Sequence, residues 1–356
     1  MTFTLAAKPD FDQAIRRIEA WYAHEVIDRP PVRFSGHNVE YGQVEPAIAG
    51  RWPTLKARWF DVDYQLERYL RGIDGKVFLG ETFPIFWPNL GPNVLAGIYG
   101  CPLEFGEVTS WAEPILTTWG EPVTLNWESE YLRQLEALTQ AALTICTDRF
   151  LVGYTDFHPG LDWLAALRDT QQLCIDMVDQ PEELLPYLKS VTTGFLQIYD
   201  HFDTILKAHG QPSVAWMGIP FFGRMHIPSC DFATLIAPRH FRAFAMPALE
   251  EEVRAMTHNI FHVDGKGVAK HLDAILELPN VEALQWVQGA GNSQPILQWV
   301  PLIRRMVAAG KSVVVDLKPT ELEAFIDALR PEGILLCMEA ADEEEERAIL
   351  KRLERW

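Results

Sequence analysis

The chain has 356 residues, of which 48% are hydrophobic and 22% charged, a composition that can bury a large core and fits one α/β barrel or two ordinary domains. Its formal net charge of −18 repels phosphate backbones, so no nucleic-acid partner is expected. No apolar run reaches the roughly 18 residues of a membrane span, there is no signal-peptide pattern, and the five cysteines are scattered, so we expect a cytoplasmic protein with free thiols.

Strand-like and helix-like segments alternate along most of the chain. Several apolar, β-rich runs lack an apolar/polar alternation, which predicts parallel strands buried on both faces. These runs span 31–36, 150–157, 212–221, 259–264, 281–287, 312–317 and 333–339. Amphipathic helices are predicted between them. The longest runs from Pro181 to Gly210, with proline at its start and glycine at its end.

The βα series predicts the fold class. It continues from 212 to the C-terminus without a break, so the prediction is an α/β protein, a (β/α)8 TIM barrel forming a single domain over 1–356. The less regular N-terminal segment, residues 1–125, is expected to cap the barrel mouth. The alternative is an open doubly wound sheet, which usually has an early glycine-rich phosphate loop. The sequence GAGN at 289–292 is too short and too late for that role.

Polar side chains close or follow most of the predicted strands. In a barrel such side chains converge on one mouth, so we predict a shared site that binds a small-molecule substrate. The catalytic candidates are Asp156, His158, Asp231, His262 and Asp264. The substrate-binding candidates are Arg33, Trp87, Asn89, Tyr154, Trp216, Arg224, Gln285 and Trp286. The three tryptophans of this set would line an aromatic pocket.

A metal site is predicted from three of these strand ends. The predicted ligands are His262, Asp264 and Cys337, with Gln285 or Cys230 as further candidates. Imidazole, carboxylate and thiolate form a borderline-soft set that suits Zn²⁺, which would activate a thiol or water or polarise a carbonyl. The alternative is that His262 and Asp264 bind an organic substrate by hydrogen bonds and that Cys337 is a small core residue.

Two further hypotheses concern charged side chains. Asp156 and His158 would form a general acid/base pair, since a carboxylate can set the tautomer of a histidine. The alternative is that Asp156 or Asp162 caps the helix that is predicted to begin near Gly160. Arg33 and Arg224 are candidate clamps for substrate carboxylates, because guanidinium pairs bidentately with them. The alternative for both is a surface arginine.

Three segments carry a resemblance to a known superfamily. CDFATLIAPRHFRAFAMPALEEEV, HVDGKGVAKHLDAILELPNVEALQW and GILLCMEAADEEEERAILKRL resemble the uroporphyrinogen decarboxylase superfamily. It includes the decarboxylase and methyltransferases that move methyl groups between corrinoids, thiols and other acceptors. The resemblance is clearest over 150–356. It implies a (β/α)8 barrel and a homodimer.

The chain departs from the decarboxylase itself at two places. Where the decarboxylase has the motif RQAGR, this chain has Arg33-Phe34-Ser35-Gly36-His37, so the second arginine is replaced by His37. The decarboxylase has an aspartate that holds pyrrole nitrogens, and at the matching position this chain has the amide side chain of Asn89. A neutral amide cannot stabilise a protonated pyrrole as aspartate does. These departures argue against haem-pathway decarboxylation.

The methyltransferase branch resembles this chain more closely at its zinc motif, His-x-Cys followed by a distant cysteine. His262 matches the first ligand, Asp264 stands in place of the first cysteine, and Cys337 fits the last. In related cobalamin-independent methionine synthases a glutamate one βα unit further on also binds zinc, and Gln285 occupies that place. The resemblance therefore implies methyl transfer, zinc-assisted and linked to a corrinoid protein. The alternatives are a lyase acting on a carboxylated small molecule and a non-catalytic ligand-binding barrel.

Overall fold

The computed structural model describes residues 4–35, 50–289 and 295–356. Its strands in chain order are β1 (Val32–Phe34), β2 (Ile85–Phe86), β3 (Leu103–Phe105), β4 (Ser110–Ala112), β5 (Leu151–Val152), β6 (Met225–His226), β7 (His258–Asp264), β8 (Ala283–Val287), β9 (Ser312–Asp316) and β10 (Ile334–Met338).

Helices lie between most of these strands. They are α1 (Phe11–Tyr22), α2 (Leu55–Trp59), α3 (Val62–Ile73), α4 (Val94–Ile98), α5 (Glu130–Cys146), α6 (Gly160–Arg168), α7 (Thr170–Asp179), α8 (Pro181–Ala208), α9 (Pro238–His240), α10 (Met246–Arg254), α11 (Gly265–Ala269), α12 (Leu272–Leu276), α13 (Val300–Ala308), α14 (Leu322–Ala328) and α15 (Glu343–Leu353). A π-helical segment, Phe241–Ala245, joins α9 to α10, and 3₁₀ segments cover Asp231–Leu235, Ile296–Trp299 and Pro319–Glu321. No helix in the described ranges is long and apolar enough to cross a membrane.

The centre of the molecule is a curled parallel sheet of six strands, in the order β1-β10-β9-β8-β7-β6. A separate parallel pair joins β2 to β5, and β3 and β4 form an antiparallel hairpin. The α/β prediction is therefore confirmed, but the strand pairing gives a half-barrel rather than one continuous ring of eight. The described part of residues 1–125 contributes β1 to the central sheet and β2 to the separate parallel pair.

One predicted strand is not formed as expected. Within the run 212–221, only an isolated antiparallel bridge joins Ser213 to Phe221. The chain turns back between these residues at Gly218, whose φ of 68° belongs to the left-handed region that favours glycine. The strand that pairs with the sheet here is β6, which follows the turn. The predicted long helix, by contrast, is present as α8.

Alternate side chains of the sheet enter two separate hydrophobic clusters, as the two-residue period of a strand requires. The outer cluster joins strand residues such as Phe261 and Leu284 to helix residues such as Leu249 and Phe325. The inner cluster brings together side chains from β7 to β10 of the sheet, from β5 of the separate pair and from the segment before β6, namely Ile260, Ala283, Val314, Leu335, Leu151 and Val214. Both faces of the strands are thus buried, as predicted.

Helix α1 covers the amino ends of the central strands. Trp21 donates its indole N–H to the carbonyl of Gly333, just before β10, at 3.0 Å. The hydroxyl of Ser312, the first residue of β9, donates to the carbonyl of Trp21. Phe11 and Ile15 of the same helix belong to the inner cluster. With the amino ends covered in this way, the carboxyl ends of the strands carry the polar groups described next.

Candidate active site

The imidazole of His262 is oriented by the neighbouring strand. His262 and Gln285 are register partners on β7 and β8, and His262 Nδ1 lies 2.6 Å from Gln285 Oε1. Because an amide oxygen only accepts hydrogen bonds, Nδ1 donates and Nε2 keeps its lone pair. The Trp216 ring meets the imidazole edge to face at 5.3 Å. The histidine is therefore held with Nε2 available as a ligand atom.

Asp231 is brought to this point by a different element. It begins the 3₁₀ segment Asp231–Leu235, and Asp162, in the first turn of α6, accepts hydrogen bonds from the backbone N–H of Asp231 at 2.9 Å and of Phe232 at 2.7 Å. Ligand atoms of Asp231, His262 and Asp264 lie within 4.8 Å of one another. One imidazole and two carboxylates thus form a group that could hold a metal ion.

The predicted ligand Cys337 lies outside this three-residue group. It is on β10, three strands from β7 in the sheet, and its Sγ lies 3.8 Å from Arg33 Nη1. Burial raises the pKa of the Cys337 thiol to about 11, with Arg33 opposing the shift. The thiol is therefore protonated at neutral pH, and Cys337 packs into the inner cluster. Cys230 is buried as well, and burial raises the pKa of its thiol.

Asp156 and His158 are in direct contact, as the general acid/base hypothesis requires. His158 Nε2 lies 2.7 Å from Asp156 Oδ2, and its Nδ1 lies 2.6 Å from Ser229 Oγ. Burial lowers the pKa of His158, but the charge and hydrogen bond of Asp156, together with the charges of Asp162 and Asp231, outweigh it and raise the pKa to about 10. The imidazole is therefore a cation at neutral pH. In this state it can donate a proton but cannot accept one.

The carboxylates of the site repel one another. Burial, followed by the charge of Asp231, raises the pKa of Asp162 to about 6, while His158 and two backbone N–H groups oppose the shift. Burial and the charge of Asp231 also raise the pKa of Asp264, opposed by His262. A bound cation would relieve this repulsion.

A cavity of about 530 Å³ opens beside Asp231. This volume is in the range of ligand pockets. Of the predicted site residues, His158 and Asp231 line it, together with Pro92, Asn93, Trp111, Ala112, Pro114, Asp162, Ala165, Ala166, Asp169, Thr170, Phe232 and Leu235. Sequence reasoning missed Trp111, because it lies on the β3–β4 hairpin and not at the end of a strand of the central sheet.

Three predicted binding residues do not line this cavity. Tyr154 and Trp286 belong to the outer cluster, where the Tyr154 hydroxyl donates to Asp203 and Trp286 packs against Trp299 at 4.9 Å. Arg224 forms an ion pair with the same Asp203 at 3.4 Å. Trp286 points outward because its neighbour on β8 contacts His262, and adjacent residues on a strand face opposite sides.

Trp87 and Asn89 do not line the cavity beside Asp231. They line a separate space of only about 20 Å³, enough for about one water molecule. Asn89 Oδ1 accepts a hydrogen bond from the backbone N–H of Gly91 at 2.7 Å, which makes it a turn residue. His37 of the arginine-motif comparison falls outside the described residues, as does most of the GAGN loop at 289–292.

Comparison with known proteins gives a likeness of fold. No family profile matches the chain, and no curated protein does. The solved structure of a methyltransferase from Methanosarcina mazei is similar, with a TM-score of 0.62 over 99% of this chain and 99% of that chain, at 12% sequence identity. At that identity the likeness concerns the fold alone.

Proposed function

We propose that this protein is an enzyme that transfers methyl or other one-carbon groups and belongs to the uroporphyrinogen decarboxylase superfamily. The observation that carries the proposal is the group formed by Asp231, His262 and Asp264 beside a ligand-sized cavity. The fold shared with a methyltransferase from Methanosarcina mazei supports it, as do the sequence segments that resemble the superfamily. The corrinoid methyl donor and the homodimer remain proposals that rest on that resemblance.

The proposed fold is a closed (β/α)8 barrel, and backbone hydrogen bonds beyond the six-stranded sheet support it. Glu81 N–H donates to the carbonyl of Val32 on β1 at 2.7 Å, just ahead of β2 in the chain. β2 pairs with β5, and the N–H of Tyr154, just after β5, donates to the carbonyl of Val214 at 2.8 Å. These links extend from the β1 edge of the sheet towards the segment that precedes β6.

The ligand group fits a divalent metal ion. Two carboxylates offset its double charge, and three protein ligands leave an open position, as in catalytic zinc sites. Burial, and then the negative charge of Asp231, raises the pKa of Asp264, and a bound cation would oppose both effects. We propose zinc, although an imidazole and two carboxylates also suit Mn²⁺ or Fe²⁺.

Side chains around this group would have different roles in the proposed reaction. A bound zinc ion would lower the pKa of a thiol, or polarise an oxygen, at its open position. Gln285 orients His262, and Asp162 orients Asp231. On the cavity wall the imidazolium of His158, held by Asp156 and Ser229, would stabilise through its positive charge a substrate atom that gains negative charge.

A decarboxylase-like function on a polycarboxylate receives less support. None of the described residues that line the cavity beside Asp231 is an arginine or lysine. Arg33, the one arginine retained from the decarboxylase motif, lies against Cys337 instead. Carboxylate substrates need such cations for bidentate binding.

Metal analysis tests the proposal. We expect about one zinc ion per wild-type chain by elemental analysis after purification and zinc loading, since the three ligands come from a single chain. His262→Ala should abolish metal binding and also methyl transfer from methylcobalamin to a thiol. Cys337→Ser is the matched control and should keep the metal, because Cys337 is outside the group.

Two outcomes would contradict the proposal. A wild-type protein that takes up no divalent metal would leave His262 and Asp264 with a hydrogen-bonding role alone. Loss of the metal in Cys337→Ser would restore the thiolate to the ligand set and remove the assignment of Asp231.

A further inference from the structure

The cavity beside Asp231 has walls from several elements. The β3–β4 hairpin contributes Trp111, α6 contributes Asp162, and the 3₁₀ segment contributes Asp231 and Leu235. Asp231 belongs both to this lining and to the ligand group, whereas His262 and Asp264 do not line the cavity, so the cavity meets the proposed metal position at Asp231. The lining therefore selects the substrate of the proposed site.

The charged groups of this lining are mostly negative. The described residues contribute three carboxylates, those of Asp162, Asp169 and Asp231. The one cationic group among them is His158, which is already paired with Asp156 at 2.7 Å. A divalent metal would be shared with Asp231 and would leave Asp162 and Asp169 to set the local potential. A concave wall of this charge attracts cations and repels anions.

The carboxylates are placed to accept further hydrogen bonds. Each oxygen of Asp162 accepts one backbone N–H, which leaves it further acceptor capacity. Among the described residues none donates a hydrogen bond to the Asp231 carboxylate. Asp169 Oδ1 accepts the N–H groups of Gln171 and Gln172, and no described donor is bound to its other oxygen.

Trp111 adds an aromatic wall to this acidic lining. Its side chain is 53% exposed, and its ring rests on Gly106, where an added Cβ would lie 2.8 Å from the ring. Leu235, also lining the cavity, is 57% exposed. The face of a tryptophan attracts an ammonium group through its ring quadrupole. Aromatic surface combined with carboxylates is the chemistry that recognises organic cations.

We propose that the cavity binds a small organic cation, a protonated or quaternary amine, as the substrate of this site. The inference rests on the proposed function, because it makes the cavity the substrate pocket of the group that contains Asp231. The apolar part of the ligand lies against Trp111 and Leu235, and its nitrogen faces the carboxylates.

A matched set of probes tests the proposal by isothermal titration calorimetry on the zinc-loaded protein. The probes are choline, its neutral carbon isostere 3,3-dimethylbutan-1-ol, and the anion 3,3-dimethylbutanoate. We expect choline to bind about tenfold more tightly than the alcohol, a ratio in the range of cation–π attraction, and also more tightly than the anion, whose carboxylate could still reach the open position of the zinc. The affinity for choline should also fall as sodium chloride is added, because salt screens the carboxylates.

Substitutions of residues that line the cavity test whether choline binds there. Trp111→Phe keeps an aromatic face and should retain most of the choline affinity, whereas Trp111→Leu should lose about fivefold or more. Asp169→Asn keeps a capping oxygen and should weaken choline by about threefold without changing the affinity for the alcohol. Trp127→Leu is the control, since Trp127 is similarly exposed, at 43%, but does not line the cavity.

The outcomes separate the two proposals. Equal affinity for choline and the alcohol, tighter binding of the anion, or an unchanged Trp111→Leu variant would each overturn the organic-cation assignment, while metal uptake would still support the proposed function. Choline binding by a protein that takes up no metal would support the cation pocket and overturn the metal-based function. If choline competes with zinc and is displaced at saturating zinc, the acidic lining serves the metal alone and the inference fails.

Discussion

At the scale of single residues, the proposed metal site depends on which ring nitrogen of His262 is already hydrogen-bonded to the protein. Gln285 holds Nδ1 at 2.6 Å, and this leaves Nε2 for a metal. Such partners of ligating histidines fix the ring and raise its basicity. In the proposed metal site Gln285, which the sequence placed among the substrate-binding residues, would therefore position a metal ligand.

The first prediction concerns this hydrogen bond. Gln285→Ala should weaken zinc binding by about 10- to 100-fold, measured by competition with a chelating dye. Gln285→Glu keeps an acceptor oxygen and should retain most of the affinity. Gln298→Ala, at an exposed glutamine whose side chain donates to the nearby backbone carbonyl of Pro295, should leave zinc binding unchanged. A Gln285→Ala variant with wild-type zinc affinity would show that the bond does not orient a ligand.

The second prediction concerns pH. The pKa of His158 is raised from 6.5 to about 10 in the folded protein, because Asp156, with Asp162 and Asp231, outweighs the effect of burial. The folded state then binds the proton more tightly than the unfolded state. The stabilising contribution is fully present below about pH 6.5 and is lost as the pH rises towards 10.

Urea denaturation of the metal-free protein across this pH window measures the effect. The free energy of unfolding of wild type should fall with rising pH more steeply than that of His158→Gln, which has no such proton. Parallel pH profiles of the two proteins would show that the pair with Asp156 does not hold the proton.

At the scale of secondary-structure elements, the 3₁₀ segment Asp231–Leu235 is anchored by a residue from another helix. Asp162 of α6 accepts both of its first N–H groups, at 2.9 and 2.7 Å. The sequence offered a capping role for Asp162, but for the helix that contains it. The structure places the cap on the segment that carries Asp231.

A substitution at Asp162 should therefore affect two properties at once. Asp162→Ala should lower the free energy of unfolding by about 1–3 kcal/mol, because two N–H groups lose their acceptor, and should weaken zinc binding, because Asp231 is no longer held. Asp342→Ala is the matched control: its carboxylate caps α15 by accepting the N–H of Glu345 at 2.9 Å. It should cost about 1 kcal/mol and leave zinc binding intact. Denaturation and zinc titration on the same samples measure both, and equal zinc affinity in both variants would remove the positioning role of Asp162.

At the scale of the whole molecule, the two ends of the chain share one framework. Trp21 of α1 is hydrogen-bonded to Gly333 and Ser312 at the start of the last two strands. The outer cluster likewise includes both Val32 and Leu353. Contacts of this kind couple the N-terminal segment to the C-terminal βα units.

Calorimetry tests this coupling. We expect a single unfolding transition whose calorimetric and van't Hoff enthalpies agree, as for one cooperative domain. Two separated transitions would show that residues 1–125 unfold independently of the rest and would contradict the single-domain prediction.

The sequence by itself determined the features that depend on local period and pattern. Doubly buried strands follow from apolar runs without alternation, and the predicted helix from Pro181 became α8. His262 and Asp264, two apart on one strand, were expected on the same face, and they meet there. The same period places Gln285 and Trp286 on opposite faces of β8, so the two predicted binding residues could not both face the site.

Only the tertiary structure decided which elements meet at the site. Asp231 joins His262 because a hydrogen-bond acceptor on α6 holds its backbone, and no local pattern announces a contact between segments so far apart in the chain. Cys337 is excluded because it lies three strands away in the curled sheet. Trp111 reaches the cavity from a hairpin outside the central sheet. Strand order, curvature and docking of the hairpin are set by packing over the whole core, so they cannot be derived from the period of any one segment.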